Sequence, residues 1–273
     1  MTSFRFLRGT EKSGLVSRRL VALMPAIAVL GFLGAVSAVG ADELRERTGH
    51  AYDTRSGALI YTEHHQEWWK DGRILRDTVT YRSPDDIIIA EKHVDFRNGE
   101  HAPDFLLRNV VTGHSEAARQ ASEMLSVRFQ EATGQPERTE LLHRPEDAIV
   151  DAGFDRFIES NWEALTRGEV FIRPFLVPSR LEFMDFQIRR IDGGGDGERV
   201  TFNLSIDSAL LQLFVPSITV VYDTSRRTLV AYHGISNMRD TEGGNMEVKI
   251  RFNHPRSGLK AALRERTESN LYR

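Results

Sequence analysis

Alternation of apolar and polar residues with a period of two is the feature that most restricts this chain. Val79 and Tyr81 flank Thr80, and Ile88, Ala90, Val94 and Phe96 share one parity. The same holds for Val200, Phe202, Leu204 and Ile206, for Ile218, Val220 and Tyr222, and for Met246, Val248, Ile250 and Phe252. Polar residues fill the gaps: Thr201, Asn203 and Ser205 in one run, Glu247, Lys249 and Arg251 in another. Successive side chains of a strand point to opposite faces, so the pattern describes strands with one face on a core and one in water. Turn-forming clusters separate the runs at Lys70-Asp71-Gly72, Ser83-Pro84-Asp85-Asp86, Arg97-Asn98-Gly99, residues 193–197, Asp223-Thr224-Ser225 and Glu242-Gly243-Gly244-Asn245. The spacing predicts a mainly β chain, built as a large curved antiparallel sheet in a half-open, barrel-like meander.

One helix interrupts the pattern. Phe154, Phe157, Ile158, Trp162 and Leu165 fall at helical spacing over 151–167, with Asp151 as expected N-cap and Gly168 as stop. Arg156, Glu159, Ser160 and Glu163 take the opposite face, so this helix is expected to pack on the sheet. Residues 115–125 are a candidate second helix that runs on into strand-like 126–129. Tyr52-Asp53-Thr54 and Tyr222-Asp223-Thr224 each lead into a strand ending on Tyr, Tyr61 and Tyr232. Shared turn chemistry, with Asp bonding its own backbone, accounts for that likeness.

The N-terminus reads as an export signal. Arg5, Arg8, Lys12, Arg18 and Arg19 precede an uncharged run from Leu20 to Ala41, and charge returns at Asp42, Glu43 and Arg45. A basic region, an apolar region and a small-residue end form the secretory pattern. Val39 and Ala41 suit cleavage before Asp42; Val36 and Ala38 suit cleavage before Val39. The run is also long enough to stay as a membrane anchor, although Pro25, Gly31, Gly34 and Gly40 favour removal. Ser17-Arg18-Arg19 loosely resembles a twin-arginine signal, so both export routes stand open. The expected organisation is a signal peptide or anchor at 1–41 and a polar linker at 42–50. A single β-rich domain at 51–254 and a polar tail at 255–273 follow. The expected location is the periplasm or another extracytoplasmic space, or the inner membrane if 20–41 is retained.

The chain carries 36 Lys+Arg and 39 Asp+Glu, a formal charge of −3. Five of those basic residues and one acid, Glu11, lie before Asp42, so the remainder is more acidic still. That is a poor match to nucleic acid, and it leaves the membrane as a partner only through 20–41. There is no cysteine, so disulfides and cysteine nucleophiles are excluded. No phosphate loop, dinucleotide fingerprint, HExxH or GxSxG occurs, no catalytic residue is assigned, and no cofactor is expected.

His64, His65, His93, His101 and His114 crowd one part of the chain. On a strand His64 and His65 face opposite ways. His64, His93 and Asp95 are weak candidates for a cross-strand zinc site; the plainer alternative is solvated histidines on polar strand faces. Of Trp68 and Trp69, one must face the core and the other away, as a ligand platform or as rim packing. Two apolar stretches, 170–177 with Phe175 and 208–218 with Leu211, Leu213 and Phe214, read either as buried strands or as the wall of an apolar cavity. Trp68, Trp69, Phe175, Leu211, Leu213 and Phe214 are therefore the candidate cavity residues.

The signal peptide, the antiparallel meander across about 50–253 and the mid-chain helix together resemble the bacterial lipoprotein-localisation-factor superfamily, whose half-open barrels wrap helices. That resemblance implies an exported, non-catalytic envelope protein that binds an acyl chain, another hydrophobic small molecule or a lipoprotein. The chain lacks a lipobox cysteine and shows a single convincing helix, and no family residue carries over to it. A periplasmic enzyme, with or without a metal, and a structural module of an envelope complex are the alternatives.

Overall fold

In the computed structural model the described residues are 43–191, 197–208, 216–240 and 243–253. They form β1 (Glu43–Asp53), β2 (Leu59–Lys70), β3 (Arg73–Arg82), β4 (Ile88–Asp95), β5 (Asp104–Asn109), β6 (Ser115–Ala121), β7 (Met124–Gln130) and β8 (Arg138–His143). Two short helices follow, α1 (Gly153–Ser160) and α2 (Trp162–Thr166). The chain then continues through β9 (Phe171–Val177), β10 (Glu182–Ile191), β11 (Arg199–Ile206), β12 (Ile218–Asp223), β13 (Thr228–Arg239) and β14 (Asn245–Asn253).

All 14 of these strands belong to one antiparallel sheet, ordered β8-β7-β6-β5-β4-β3-β2-β1-β14-β13-β12-β11-β10-β9. The two halves of the meander join where the first and last strands pair, with Ala51 opposite Ile250. The sheet edges are then β8 and β9, which are neighbours in sequence around the helical segment. That segment fastens one edge. Ile149 pairs with Phe175 of β9 through Ile149 N–Pro174 O at 2.8 Å and Leu176 N–Ile149 O at 3.0 Å. Val150 N bonds His101 O at 2.9 Å on the far side of the sheet. Arg138 of β8 donates to Ser179 O, just after β9, at 2.7 Å. Side chains meet across the same gap: Leu176 and Phe183 pack with Ile74, Phe105, Leu125 and Val127. The sheet is thus rolled into a barrel whose two edges are sewn by a short connector. Pro174 sits on an edge strand, the position where its missing N–H costs no ladder bond.

Inner faces are apolar and outer faces charged. Phe202, Leu204, Val220, Tyr222, Val248 and Ile250 are buried, while Glu247, Lys249 and Arg251 of β14 are exposed. This is the reverse of a barrel whose outer surface meets lipid. The helices plug the inside of β10–β12. Phe157, Ile158, Trp162 and Leu165 form one core with Ile188, Val200, Phe202, Val220 and Tyr222. Trp162 stands edge-on to Phe202 and Tyr222, with centroids 5.9 Å away in both cases.

Several expectations are corrected. The helix expected over 151–167 is broken at Asn161, whose side-chain Nδ2 donates to Phe157 O at 2.9 Å. Asp151 is not its cap; Ala152 holds that position without a side-chain bond, and Asp151 adopts φ 46° and pairs with Lys92. The chain turns tightly because Gly153 lies against backbone: an added Cβ would sit 1.9 Å from His101 O. Residues 115–121 are strand β6, so no second helix forms there, and 43–50 are not a linker but the first part of β1. The two Tyr-Asp-Thr turns do share Asx chemistry. Asp53 Oδ1 accepts from Ser56 N at 2.7 Å, and Asp223 Oδ1 accepts from Arg226 N at 2.9 Å. The glycine run 193–197 falls almost wholly outside the described residues, as does the tail 255–273.

Candidate functional site

The inner face of β2 breaks the apolar rule and builds the site. Tyr61, Glu63, His65, Glu67 and Trp69 point inward, while His64, Gln66 and Trp68 point out. β1 adds Arg47, β3 adds Asp77 and Tyr81, and β4 adds Lys92. Glu63 and Asp77 are 6% and 4% exposed, so their charges require partners. Gly49 on β1 makes the room, because a Cβ there would lie 2.8 Å from Glu63 Cγ and 2.9 Å from Ile250.

The partners are present. His65 Nδ1 lies 2.8 Å from Asp77 Oδ2, and its Nε2 lies 3.2 Å from Glu63 Oε1. Burial works against a charged imidazole, and Arg47 adds to that, but the two carboxylates outweigh both and raise the His65 pKa. Burial would lift Asp77, yet His65 and Arg47 hold it below the usual carboxylate range. Arg47 Nε meets Glu67 Oε1 at 3.0 Å, and Trp69 Nε1 donates to Glu67 Oε2 at 3.0 Å. Lys92 Nζ donates to Asp151 Oδ1 at 2.8 Å. The helix joins the same network: Tyr222 Oη donates to Asp155 Oδ1 at 2.7 Å, and Arg156 pairs with Asp155 at 3.0 Å. Burial works against the Asp155 charge, but Arg156, Arg47 and the Tyr222 hydroxyl hold its pKa down. Asp77 Oδ1 is buried without a hydrogen-bond partner.

Beside this network lies a cavity of about 310 Å³. Phe105, Phe154, Phe175, Leu204, Ile218 and Ile250 form its apolar wall, and Glu63, His65, Lys92 and Asp151 its polar one. A smaller cleft of about 200 Å³ lies against Trp69, Arg45, Arg156 and Arg227.

Phe175, singled out in the sequence, lines the larger cavity. Trp69 lines the smaller cleft with the Arg45 guanidinium 4.1 Å from its ring, and Trp68 is on the outer face, 40% exposed. Leu211, Leu213 and Phe214 lie outside the described residues. The His64, His93 and Asp95 set is not brought together. β3 separates β2 from β4, and each side chain has its own partner: Thr48 and Thr62 for His64, Thr78 for His93, Arg97 for Asp95. Histidines are not uniformly solvated either, since His65 and His114 are buried and His114 Nδ1 lies 2.9 Å from Gln130 O. Alternation hid Glu63, His65, Glu67 and Asp77, because polar residues on an inner face look like an outer one. The signal available was the parity they share with Tyr61 and with Val79 and Tyr81.

No family model matches the sequence, and no curated protein matches it. Among solved structures the chain is similar to a beta-barrel-like protein of domain of unknown function DUF1849 from Brucella abortus. Identity is 10% and the TM-score 0.41, over 77% of this chain and 98% of that one. The barrel-like assignment here rests on the strand pairing and edge contacts described above.

Proposed function

We propose that this protein is an exported, non-catalytic carrier that holds one hydrophobic or amphipathic small molecule inside its barrel, in the manner of the lipoprotein-localisation-factor type. The observation that carries the reading is the cavity between the apolar wall around Phe175 and the polar wall around Lys92. Ligand sites are concave and mostly apolar with a few placed polar groups, and barrel interiors are a usual location. A volume of about 310 Å³ is at the low end for such sites, which favours a single acyl chain over a multiply acylated lipoprotein anchor. Lys92, with His65 beside it, would hold the polar end. Export rests on the Leu20–Ala41 run and its basic flank, with the periplasm as destination or the inner membrane if the run is kept.

The test is titration of the delipidated full chain with a fluorescent fatty acid. Saturable one-to-one binding is expected. It should weaken at least tenfold (about 1.4 kcal/mol) in Phe175→Glu, which sets a carboxylate in the apolar wall, and stay unchanged in the outer-face variant Trp68→Ala. Absence of saturable binding by the wild type, or equal binding by folded Phe175→Glu, overturns the reading.

A further inference from the structure

We propose that His65, Glu67 and Asp77 form a divalent-metal site of the zinc class in the barrel wall, with Glu63 orienting the histidine. The strand geometry converges these donors. His65 and Glu67 are two residues apart on the inner face of β2, and Asp77 is the residue paired with Glu67 on β3. One ligand atom from each lies within 4.8 Å of the other two. Zinc takes imidazole nitrogen at about 2.0–2.1 Å and carboxylate oxygen at about 2.0–2.2 Å, which places two donors of a tetrahedral ion roughly 3.3 Å apart. The donors therefore need only small rotations to close on an ion; His65 Nδ1 and Asp77 Oδ2, now 2.8 Å apart, open slightly.

Asp77 is the second, independent observation. It is 4% exposed, and its Oδ1 is buried with no hydrogen-bond partner; Arg47 Nε and Asp151 Oδ2 also lack a hydrogen bond, but each faces an opposite charge, at 3.0 Å and 2.6 Å. A buried carboxylate oxygen left unpaired keeps its full desolvation penalty, and a cation would remove it. The outer shell is already in place. With an ion on the Nδ1 side of His65, the Nε2–H faces Glu63 Oε1 at 3.2 Å, the carboxylate–histidine arrangement that fixes tautomer and ring orientation. Trp69 Nε1 and Arg47 likewise steady Glu67. Charge is consistent with a divalent ion. Glu63, Glu67 and Asp77 hold one ion-paired guanidinium, Arg47 on Glu67; Lys92 is matched by Asp151, and Arg45 and Arg156, which also act on Glu67, are matched by Glu43 and Asp155. With His65 neutral, a divalent cation balances the cluster. One imidazole and two carboxylates suit Zn²⁺ before Ca²⁺ or Mg²⁺, which take oxygen alone. This site does not depend on the cavity holding a ligand.

The test uses the untagged full chain, stripped with chelator, dialysed and titrated with ZnCl₂ by calorimetry, with bound metal counted by plasma mass spectrometry. One equivalent is expected. Asp77→Asn and His65→Gln should abolish stoichiometric binding. Glu63→Gln should weaken it about 10–100-fold, and the outer-face variant His93→Gln should bind as the wild type does. Circular dichroism checks that each variant is folded, and Glu67→Gln replaces any that is not. A wild type that takes up no stoichiometric zinc, or a folded His65→Gln that binds unchanged, overturns the proposal.

Discussion

Replacing Trp162 by alanine tests how the helical plug is held. The indole is 6% exposed and sits between Phe202 and Tyr222, which are 0% and 1% exposed. Neither neighbour can move far into the space left behind. Phe202 and Tyr222 are on adjacent strands of the ladder, Phe202 is paired with Val220, and the Tyr222 hydroxyl is tied to Asp155. The void therefore stays largely open, which puts the cost in the range for buried aromatic truncation, about 3–5 kcal/mol. That figure already contains the two edge-to-face contacts, each about 0.5–1.5 kcal/mol. Against a typical total stability of about 5–15 kcal/mol the variant should remain folded but visibly weakened. Urea unfolding at 25 °C, followed by far-ultraviolet circular dichroism, measures it as a lower midpoint at unchanged slope. Trp162→Phe should fall between the two. A loss below about 1 kcal/mol refutes the argument and makes the helices a surface feature or a movable lid.

Tyr222→Phe deletes the hydroxyl that bonds the Asp155 carboxylate and should cost about 1.5–3 kcal/mol in the same assay, the range for a hydrogen bond to a charged group. Asp155 has a lowered pKa, so its stabilisation is present above the unfolded-state value near pH ~3.9 and is lost as pH falls through the folded value. Urea midpoints below pH ~4 should drop less steeply in Asp155→Asn than in the wild type, and parallel curves would contradict this. N-terminal sequencing of chain from the native envelope fraction should begin at Asp42 or Val39, whereas an intact Met1 chain in the membrane pellet would make the barrel a tethered domain.

The sheet was legible where one face of a strand is apolar. β12 and β14 alternate in sequence as they do in burial, and β11 does so except at Thr201, which is buried between Val200 and Phe202. The reading failed where the inner face is polar or small. In β1, Arg47 and Gly49 point toward half-buried Glu67 and buried Glu63, so DELRERTGH reads as solvated linker although a strand is needed there to hold the network. In β6, Ala117 and Ala118 are both buried and the flanking Glu, Arg and Gln favour helix in isolation; pairing with β5 and β7 overrides that preference. Order in the sheet was not readable either. The pairing of β1 with β14 joins residues some two hundred positions apart, and the closure by Ile149 and Val150 depends on backbone bonds that carry no side-chain signature. The cavity was half visible. Phe175 stood out by its apolar surroundings, whereas Glu63, His65 and Asp77 came together only through the register of β2 and β3.

The central claim is that the barrel holds one apolar molecule, and native mass spectrometry tests it most directly. The full chain, isolated gently and sprayed before and after incubation with palmitic acid, should show a single small-molecule adduct per chain in at least one of the two spectra. The adduct formed on incubation should carry the mass of one palmitate and be reduced in Phe175→Glu. A chain that appears only at its bare mass in both spectra contradicts the account.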